Sequence, residues 1–157
     1  MRLTAYTDFG LRALMRLAGE PGRVFTTEEL AREFAISRHH LTKVVHELSN
    51  AGVVSTQRGA GGGFRLARPA SEITIGAIVR RLEARHAIVE CFRTDGGACV
   101  LLSRCHLKAH LARAAEAFLK SLEGVTLAEC AVPPPGRGRP SRQEIPEPKR
   151  KVGKGGL

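Results

Sequence analysis

Three of the four cysteines lie close together in the sequence, in the spacing C-x7-C-x5-C. Cys91, Cys99 and Cys105 belong to a stretch without a sustained helical or strand period, just before a strongly amphipathic stretch. Thiolates are soft ligands that suit iron–sulfur clusters and zinc. Three of them on a pliable segment can surround one inorganic centre, so the spacing predicts a metal or cluster site.

Other uses of these cysteines remain open on the spacing alone. A structural zinc site prefers four ligands in closely spaced pairs, and the sequence has no Cys-x2-Cys pair. Buried cysteines without a ligand are the plain alternative, although three so close together are unusual for packing. A dithiol oxidoreductase needs Cys-x-x-Cys and a cysteine nucleophile needs a polarising base, so an enzyme or electron carrier is disfavoured. Cys130 lies outside the motif and is expected to be a free thiol.

Three short helices are expected before the cysteines, in the first 50 residues. The first covers 7–18, where apolar residues recur at helical spacing. Thr26 and Glu29 form a capping-box pattern at the start of the second. Ser37 can cap the third helix after a tight turn. The inward face of this third helix is predicted to be Leu41, Val44, Val45 and Leu48.

A hairpin with a glycine-rich tip follows, with strands at 53–57 and 64–66, and then a fourth helix capped by Thr74. Two short helices at a tight turn followed by a basic hairpin are the order of a winged helix-turn-helix. The outward side chains of the third helix and the hairpin are placed to meet base edges and phosphates. They are Ser37, Arg38, His39, Thr42, Lys43 and His46, with Arg58, Gly61, Gly62 and Arg65 in the wing.

The plainer interpretation of the third helix is a solvated polar face. The plainer interpretation of the glycine-rich hairpin is a flexible hairpin with solvated charges. The glycine run at 59–63 also suggests a phosphate-binding loop of a nucleotide site. That loop would end in Gly-Lys-Ser or Gly-Lys-Thr, whereas here the glycines lead into a strand-like stretch. A nucleotide site is therefore disfavoured.

The expected fold is mainly α with a small β-hairpin wing. We expect the winged helix-turn-helix to cover residues 1–83. A cysteine-bearing loop then covers residues 84–105, and a long helix covers residues 106–130. The apolar face of that long helix is too large for a lone module, which predicts a homodimer. Residues 131–157 hold six of the eight prolines with seven basic and two acidic side chains, so we expect a disordered basic tail.

The composition supports a nucleic-acid partner but does not identify it. The chain of 157 residues has a net charge of +10, which attracts polyanions. No stretch approaches the ~20 apolar residues of a membrane span, and we expect a cytoplasmic protein without a membrane partner. Disulfides are disfavoured in that reducing compartment.

Four motifs together resemble the Rrf2 family of bacterial iron–sulfur regulators. They are the opening Met1-Arg2-Leu3-Thr4 with Tyr6-Thr7-Asp8, the segment 36–48, the wing 58–64 and the triple cysteine. The resemblance extends from residue 1 to about residue 129. It implies a dimeric repressor that binds an inverted repeat in double-stranded DNA and carries an iron–sulfur cluster.

The resemblance is strongest to the nitric-oxide-sensing repressors of this family. In those proteins three such cysteines bind a 4Fe–4S cluster, and an aspartate in the first helix of the other subunit is the remaining ligand. Asp8 matches that aspartate, and capping of the first helix is its alternative role. The resemblance then implies that nitrosylation breaks the Asp8 link and releases the dimer from its operator.

A related branch of the family binds a 2Fe–2S cluster, with a histidine three residues after the last cysteine, and senses iron–sulfur assembly or redox status. Lys108 occupies that position here, and an ammonium group is a poor ligand, which disfavours a 2Fe–2S cluster. His106 and His110 remain alternative ligands. A DNA-binding protein whose cysteines hold nothing also remains possible.

Overall fold

The computed structural model describes residues 2–59 and 61–134, which contain five α-helices and one two-stranded hairpin. The expected fold, mainly α with a small hairpin, is confirmed. None of the described helices combines the length and apolarity needed to cross a bilayer. The predicted disordered tail lies outside the described residues from 135 onward. The elements are α1 (Ala5–Ala18), α2 (Thr27–Glu33), α3 (Arg38–Asn50), β1 (Val54–Gln57), β2 (Gly63–Leu66), α4 (Ile75–Glu83) and α5 (Leu107–Glu123).

Threonine side chains cap three of the helices. Thr4, Thr26 and Thr74 each accept a hydrogen bond from the backbone N–H three residues later, at 3.0–3.3 Å. The caps predicted at Thr26 and Thr74 are confirmed, and α1 begins at residue 5, earlier than expected. Ser37 occupies the N-cap position of α3, but its side chain makes no capping hydrogen bond, so that expectation is wrong. Its hydroxyl is left available for another partner.

The core lies around α1, against which both α3 and α4 pack. The predicted inward face of α3 is buried, which confirms its helical periodicity. The aromatic rings of Phe25 and of Phe64, which belongs to β2, are also buried. Other fully buried side chains are Leu14, Leu17, Leu30, Ile73, Ile78, Val79 and Leu127.

The hairpin is tied to the linker between α1 and α2 through Phe64 of β2. β1 and β2 pair antiparallel, with Val54 opposite Leu66 at the base and Gln57 opposite Gly63 near the tip. Phe25, between α1 and α2, exchanges two backbone hydrogen bonds with Phe64 of β2, at 2.9 and 2.8 Å. The direction of the hairpin is therefore set by the linker that precedes α2.

The chain returns to the core after α5. Thr126 forms a bridge with Thr74, and backbone hydrogen bonds of 2.8 Å join Ile75 N to Val125 O and Leu127 N to Ile73 O. Leu127 is fully buried. We call the described residues of 2–83 and 125–134 the core unit, and residues 84–106 the cysteine segment.

The last described residues lie against the end of α1. The backbone N of Val132 donates to the carbonyl of Met15 at 2.9 Å. A Cβ added at Gly19 would lie 1.8 Å from the carbonyl oxygen of Val132, so only glycine leaves room for this approach. Residues 131–134 are thus fixed to the core unit.

Candidate nucleic-acid interface and cysteine site

The polar face of α3 is exposed. Arg38, at the start of α3, forms an exposed ion pair with Glu28 of α2 at 3.2 Å. The hydroxyl of Thr42 donates to the carbonyl of Arg38 at 2.9 Å. An exposed ion pair contributes little stability, so Arg38 can exchange Glu28 for a phosphate or a base edge at low cost. The exposed side chains predicted to read DNA are Ser37, Arg38, His39, Thr42, Lys43 and His46.

The wing carries two exposed arginines. Arg58 follows β1, and Arg65 lies in β2 opposite Ser55. Gly61 has a φ of +76°, and a Cβ on Gly62 would lie 2.6 Å from the carbonyl oxygen of Gln57. The tight tip therefore requires its glycines, and it leaves both guanidinium groups free to approach phosphates or a minor groove.

Basic residues at the end of α4 extend the exposed face of α3, and sequence analysis did not include them. They line a cleft of about 840 Å³ together with Lys43 and His46. Arg81 is 2.7 Å from Glu47 of α3, and the Tyr6 hydroxyl donates to the carbonyl of Lys43 at 3.1 Å. The available signal was the group of basic residue types at and just after the end of this amphipathic helix: Arg81, Arg85 and His86.

The three predicted cysteine ligands all lie in the cysteine segment. Each is half-buried, and none forms a disulfide. In the described chain, the hydrogen bonds of residues 87–105 stay within that stretch. Arg93, for example, pairs with Asp95 at 2.6 Å, and this contact lowers the pKa of the Asp95 carboxyl. The segment is thus held mainly by short-range bonds.

The structure does not gather the predicted ligands within one chain. Among residues 2–59 and 61–134, no three His, Cys, Asp or Glu side chains lie together in a way that could hold a metal ion. Asp8 is in the first turn of α1, 2.7 Å from Arg12. Because Thr4 caps α1, the alternative role of Asp8 as the helix cap is wrong.

The donor set nevertheless has the chemistry of an iron–sulfur site. The three thiols are free, and a segment held by short-range bonds can rearrange at modest cost. The Asp8 carboxylate is about half exposed, and its only ion pair in the described residues, with Arg12, is equally exposed. The Asp8 carboxylate is thus accessible on the surface of α1 to another chain.

Apolar side chains are exposed around the cysteines. Their exposed fractions range from 38% at Val89 to 88% at Val100. No residue of α5 is buried, although Phe118, Leu119 and Leu122 pack against the core unit. Such a concentration of exposed apolar surface is typical of an interface. The residues concerned are Ile88, Val89, Val100, Leu101, Leu102 and Leu107.

Comparisons with known proteins identify the family. The model of the Rrf2 family, described as an iron-dependent transcriptional regulator, matches residues 3–132. The HTH-type transcriptional regulator NsrR of Geobacillus kaustophilus (strain HTA426) is 45% identical over 130 residues, which are 82% of this chain and 88% of that protein. The structure of CymR (YrzC), the global cysteine regulator of B. subtilis, is 30% identical with a TM-score of 0.65, covering 83% of this chain and 96% of that one. T. potens IscR, 24% identical, shares the fold with a TM-score of 0.63 over 82% of this chain and 85% of its own. The chain belongs to the Rrf2 family and is a DNA-binding winged-helix transcriptional regulator.

Proposed function

We propose that this regulator is a nitric-oxide-responsive repressor, not an enzyme, that binds an inverted-repeat operator as a homodimer. One observation carries the proposal. Three free, half-buried cysteines lie between α4 and α5 of an Rrf2 chain that is 45% identical to an NsrR regulator. We infer that these cysteines hold an iron–sulfur cluster, and that reaction of this cluster with nitric oxide releases the dimer from DNA.

The reading surface in this proposal combines α3 and the wing. Arg38, His39 and Lys43 are exposed on α3 and would meet base edges and phosphates in a major groove. Arg58 and Arg65 would bind the flanking backbone or minor groove. The Ser37 hydroxyl, which makes no capping bond, supports a DNA contact at the start of α3. A two-fold dimer presents two such surfaces, which suits an inverted repeat.

The dimer in this proposal buries the apolar surface around the cysteines and along α5. Leu101 and Leu107 are each about 60% exposed in the single chain. Burying apolar surface of this kind stabilises an interface by ~25 cal/mol per Å². The same contact would bring the cysteine segment of one subunit toward α1 of its partner.

In the proposed cluster site, Cys91, Cys99 and Cys105 of one chain are joined by Asp8 of the partner subunit. A 4Fe–4S cluster, when bound, would supply iron that reacts directly with nitric oxide. Asp8 would exchange its exposed pair with Arg12 for this role, at little cost. Because α1 packs on α3, the position of Asp8 can influence the orientation of α3.

Lys108 supports a 4Fe–4S rather than a 2Fe–2S cluster. It occupies the position of the histidine ligand in the 2Fe–2S branch, and its Nζ lies 5.9 Å from the centre of the Phe92 ring. A protonated amine held against an aromatic ring interacts with the π-face and offers no lone pair to iron.

Anaerobic purification and native mass spectrometry test the proposal. We expect two 4Fe–4S clusters per dimer, and operator binding that is lost after exposure to nitric oxide. Cys99→Ser should remove the cluster and the response, whereas the matched Cys130→Ser control should keep both, since Cys130 lies in the core unit, outside the cysteine segment. Zinc or no metal in the wild-type protein, or a normal nitric oxide response in Cys99→Ser, would overturn the proposal.

A mixed dimer tests whether Asp8 acts across the interface. One subunit carries Asp8→Ala and the other Cys99→Ser. If Asp8 serves the partner's cluster, one of the two sites is intact, and one chelator-resistant cluster per dimer is expected. If Asp8 and the cysteines of the same chain form the site, both sites are defective and none is expected.

A further inference from the structure

The cleft of about 840 Å³ lies between α3 and the end of α4. Helix α3 contributes His39, Lys43 and His46 to its lining, and the end of α4 and the turn after it contribute Arg81 and Arg85. All five side chains are exposed. The cleft therefore lies directly beside the helix that is proposed to read DNA.

Positive charge dominates this cleft. Lys43, Arg81 and Arg85 are its cationic side chains, and among the described residues that line it Glu47 is the only carboxylate. Arg81 already neutralises Glu47, at 2.7 Å. That ion pair uses the Nε of Arg81, whereas a guanidinium has five N–H donors in all. The cleft thus has a surplus of cationic donors, which suits phosphate groups.

The backbone that carries Arg85 is held in a fixed position. Just before it, Glu83 accepts hydrogen bonds from the backbone N–H and the hydroxyl of Thr4, both at 2.8 Å. The N–H of His86 donates to the carbonyl of Glu83 at 2.8 Å, which closes a turn around Arg85. Leu82 is buried in the core. Arg85 is therefore presented from an anchored turn.

Two adjacent arginines of α4 have different partners. Arg80 donates to Glu116 at 3.0 and 2.9 Å and to Glu123 at 2.8 Å, so its charge is neutralised where α4 joins α5. Arg81, the next residue around the helix, lies toward α3 and contacts only Glu47 among the described carboxylates. Arg80 thus links two helices, whereas Arg81 contributes to the cleft.

The cleft follows one side of α3. Arg38 and Glu47 lie on opposite sides of this helix, because nine residues make about two and a half turns. Arg38 faces α2 through its pair with Glu28, and Glu47 faces α4 through Arg81. An α-helix with its side chains is about as wide as the ~12 Å major groove, so a helix in that groove has a DNA backbone along each side. One of these backbones would follow the α4 side.

We propose that Lys43, Arg81 and Arg85 bind phosphates of the DNA strand that runs along the α4 side of α3. This inference rests on the proposed insertion of α3 into the major groove and not on the cluster. Phosphate contacts carry no sequence information, but they fix the position of a protein on the duplex. Arg85 belongs to the cysteine segment, so this segment itself contacts the DNA backbone.

Salt-dependent DNA binding by the full-length protein, purified anaerobically, tests the site. The probes are a random-sequence duplex and an operator duplex selected in vitro with the wild type. The test variant is Arg85→Gln, and Arg85→Lys keeps the charge at the same position. Lys120→Gln is the matched control, because it removes one exposed positive charge from α5, outside the cleft.

Arg85→Gln should bind both duplexes about five- to tenfold more weakly at ~0.1 M salt, which is the effect of one lost phosphate contact. The slope of log affinity against log salt should fall by about 0.9. Preference for the operator should persist, because phosphates are the same in every sequence. Arg85→Lys should keep the wild-type slope, and Lys120→Gln should match the wild type.

Neutral methylphosphonates, placed one at a time in the operator, locate the contact. Several of them should weaken binding of the wild type. At the phosphates that Arg85 contacts, neutralisation should no longer weaken binding of Arg85→Gln, whereas the other positions should stay sensitive. A loss of affinity in Arg85→Gln that is tied to no particular phosphate would overturn the proposal, because the charge would then act only at long range.

Equal salt slopes for the wild type and Arg85→Gln would also overturn the proposal and leave an acidic protein surface as the partner of the cleft. Arg38→Ala separates this failure from failure of the reading surface. If only the cleft assignment is wrong, Arg38→Ala weakens operator binding while Arg85→Gln behaves as the wild type. If α3 does not enter the groove, neither variant changes operator binding, and both proposals fail.

Discussion

Two arginines show how differently the core unit and the cysteine segment are held. Arg16 of the core unit has a side chain only 4% exposed, contacts two carboxylates and lies over an aromatic ring. Arg93 of the cysteine segment is 56% exposed and pairs with Asp95, two residues away. Long-range contacts fix the first arrangement, whereas short-range bonds leave the second free to change. A surface that reads DNA needs a fixed shape, and the proposed cluster site, shared with a partner subunit, would need a segment that is free to adjust.

The largest expected difference between the two regions is in their arginines. Arg16→Ala should destabilise the protein by about 3–5 kcal/mol, because it empties the space of a side chain that is only 4% exposed and removes its ion pairs with Glu20 and Glu33. Arg93→Ala should leave stability unchanged, since its pair is solvated. Urea denaturation at one fixed protein concentration measures both. Equal losses of unfolding free energy in the two variants would contradict the proposed difference between the core unit and the cysteine segment.

Leucines extend the comparison to apolar side chains. Leu127→Ala should cost about 2–5 kcal/mol, since Leu127 is fully buried in the core unit. Leu101→Ala, at a side chain 60% exposed, should change the stability of one chain little but weaken dimerisation. Denaturation and analytical ultracentrifugation separate these effects. A monomer–dimer equilibrium unaffected by Leu101→Ala would contradict the proposed interface.

A methyl group at Gly19 tests the attachment of the final described residues. Gly19→Ala should destabilise by about 1–3 kcal/mol, because the new Cβ collides with the carbonyl of Val132. In a chain that ends at residue 131 the same substitution should be neutral or slightly stabilising, since the backbone of Gly19 has an ordinary φ of −72°. A loss of the same size in both backgrounds would place the cause elsewhere.

Glu83 marks the boundary between the two regions, and its substitution should have the smallest effect. Burial raises its pKa, but hydrogen bonds from Thr7 and Thr4 outweigh this and hold the pKa below the ordinary value. Its stabilising contribution is therefore present above the ordinary glutamate range and is lost as the pH falls through the depressed pKa. Glu83→Gln should cost about 1 kcal/mol at neutral pH and reduce the fall in stability on acidification. Thermal melts between neutral and acidic pH measure both.

Local patterns in the sequence predicted most of the core unit. The inward face of α3 followed from helical periodicity, and the caps at Thr26 and Thr74 from residue types that bond within their own turn. Long-range contacts left no such pattern. The return of Leu127 to the core, the pairing of Phe25 with Phe64 and the burial of Arg16 all join residues distant in the sequence.

The same distinction applies to the candidate site: features that depend on the local sequence were predicted, and features that depend on long-range contacts were not. Helical geometry was enough to place Arg38, Thr42 and Lys43 on the exposed face of α3. The cap of α1 was missed because Asp8 competes with Thr4 as a capping residue type. Gathering of the cysteines remains a prediction, because a site shared between subunits depends on a surface that one chain does not complete.

The bridge between Thr74 and Thr126, together with the packing of α4 on α5, closes a long excursion of the chain. Everything from α4 to α5 starts and ends beside the same pair of residues. Lengthening such a closed excursion adds only a logarithmic entropy cost, ~0.6 kcal/mol for each doubling of its length. If the cysteines hold a cluster as proposed, insertions or deletions that alter their spacing would disturb the proposed DNA-reading surface little. On the proposed function, such a chain could change the signal to which it responds while its DNA-binding surface keeps its shape.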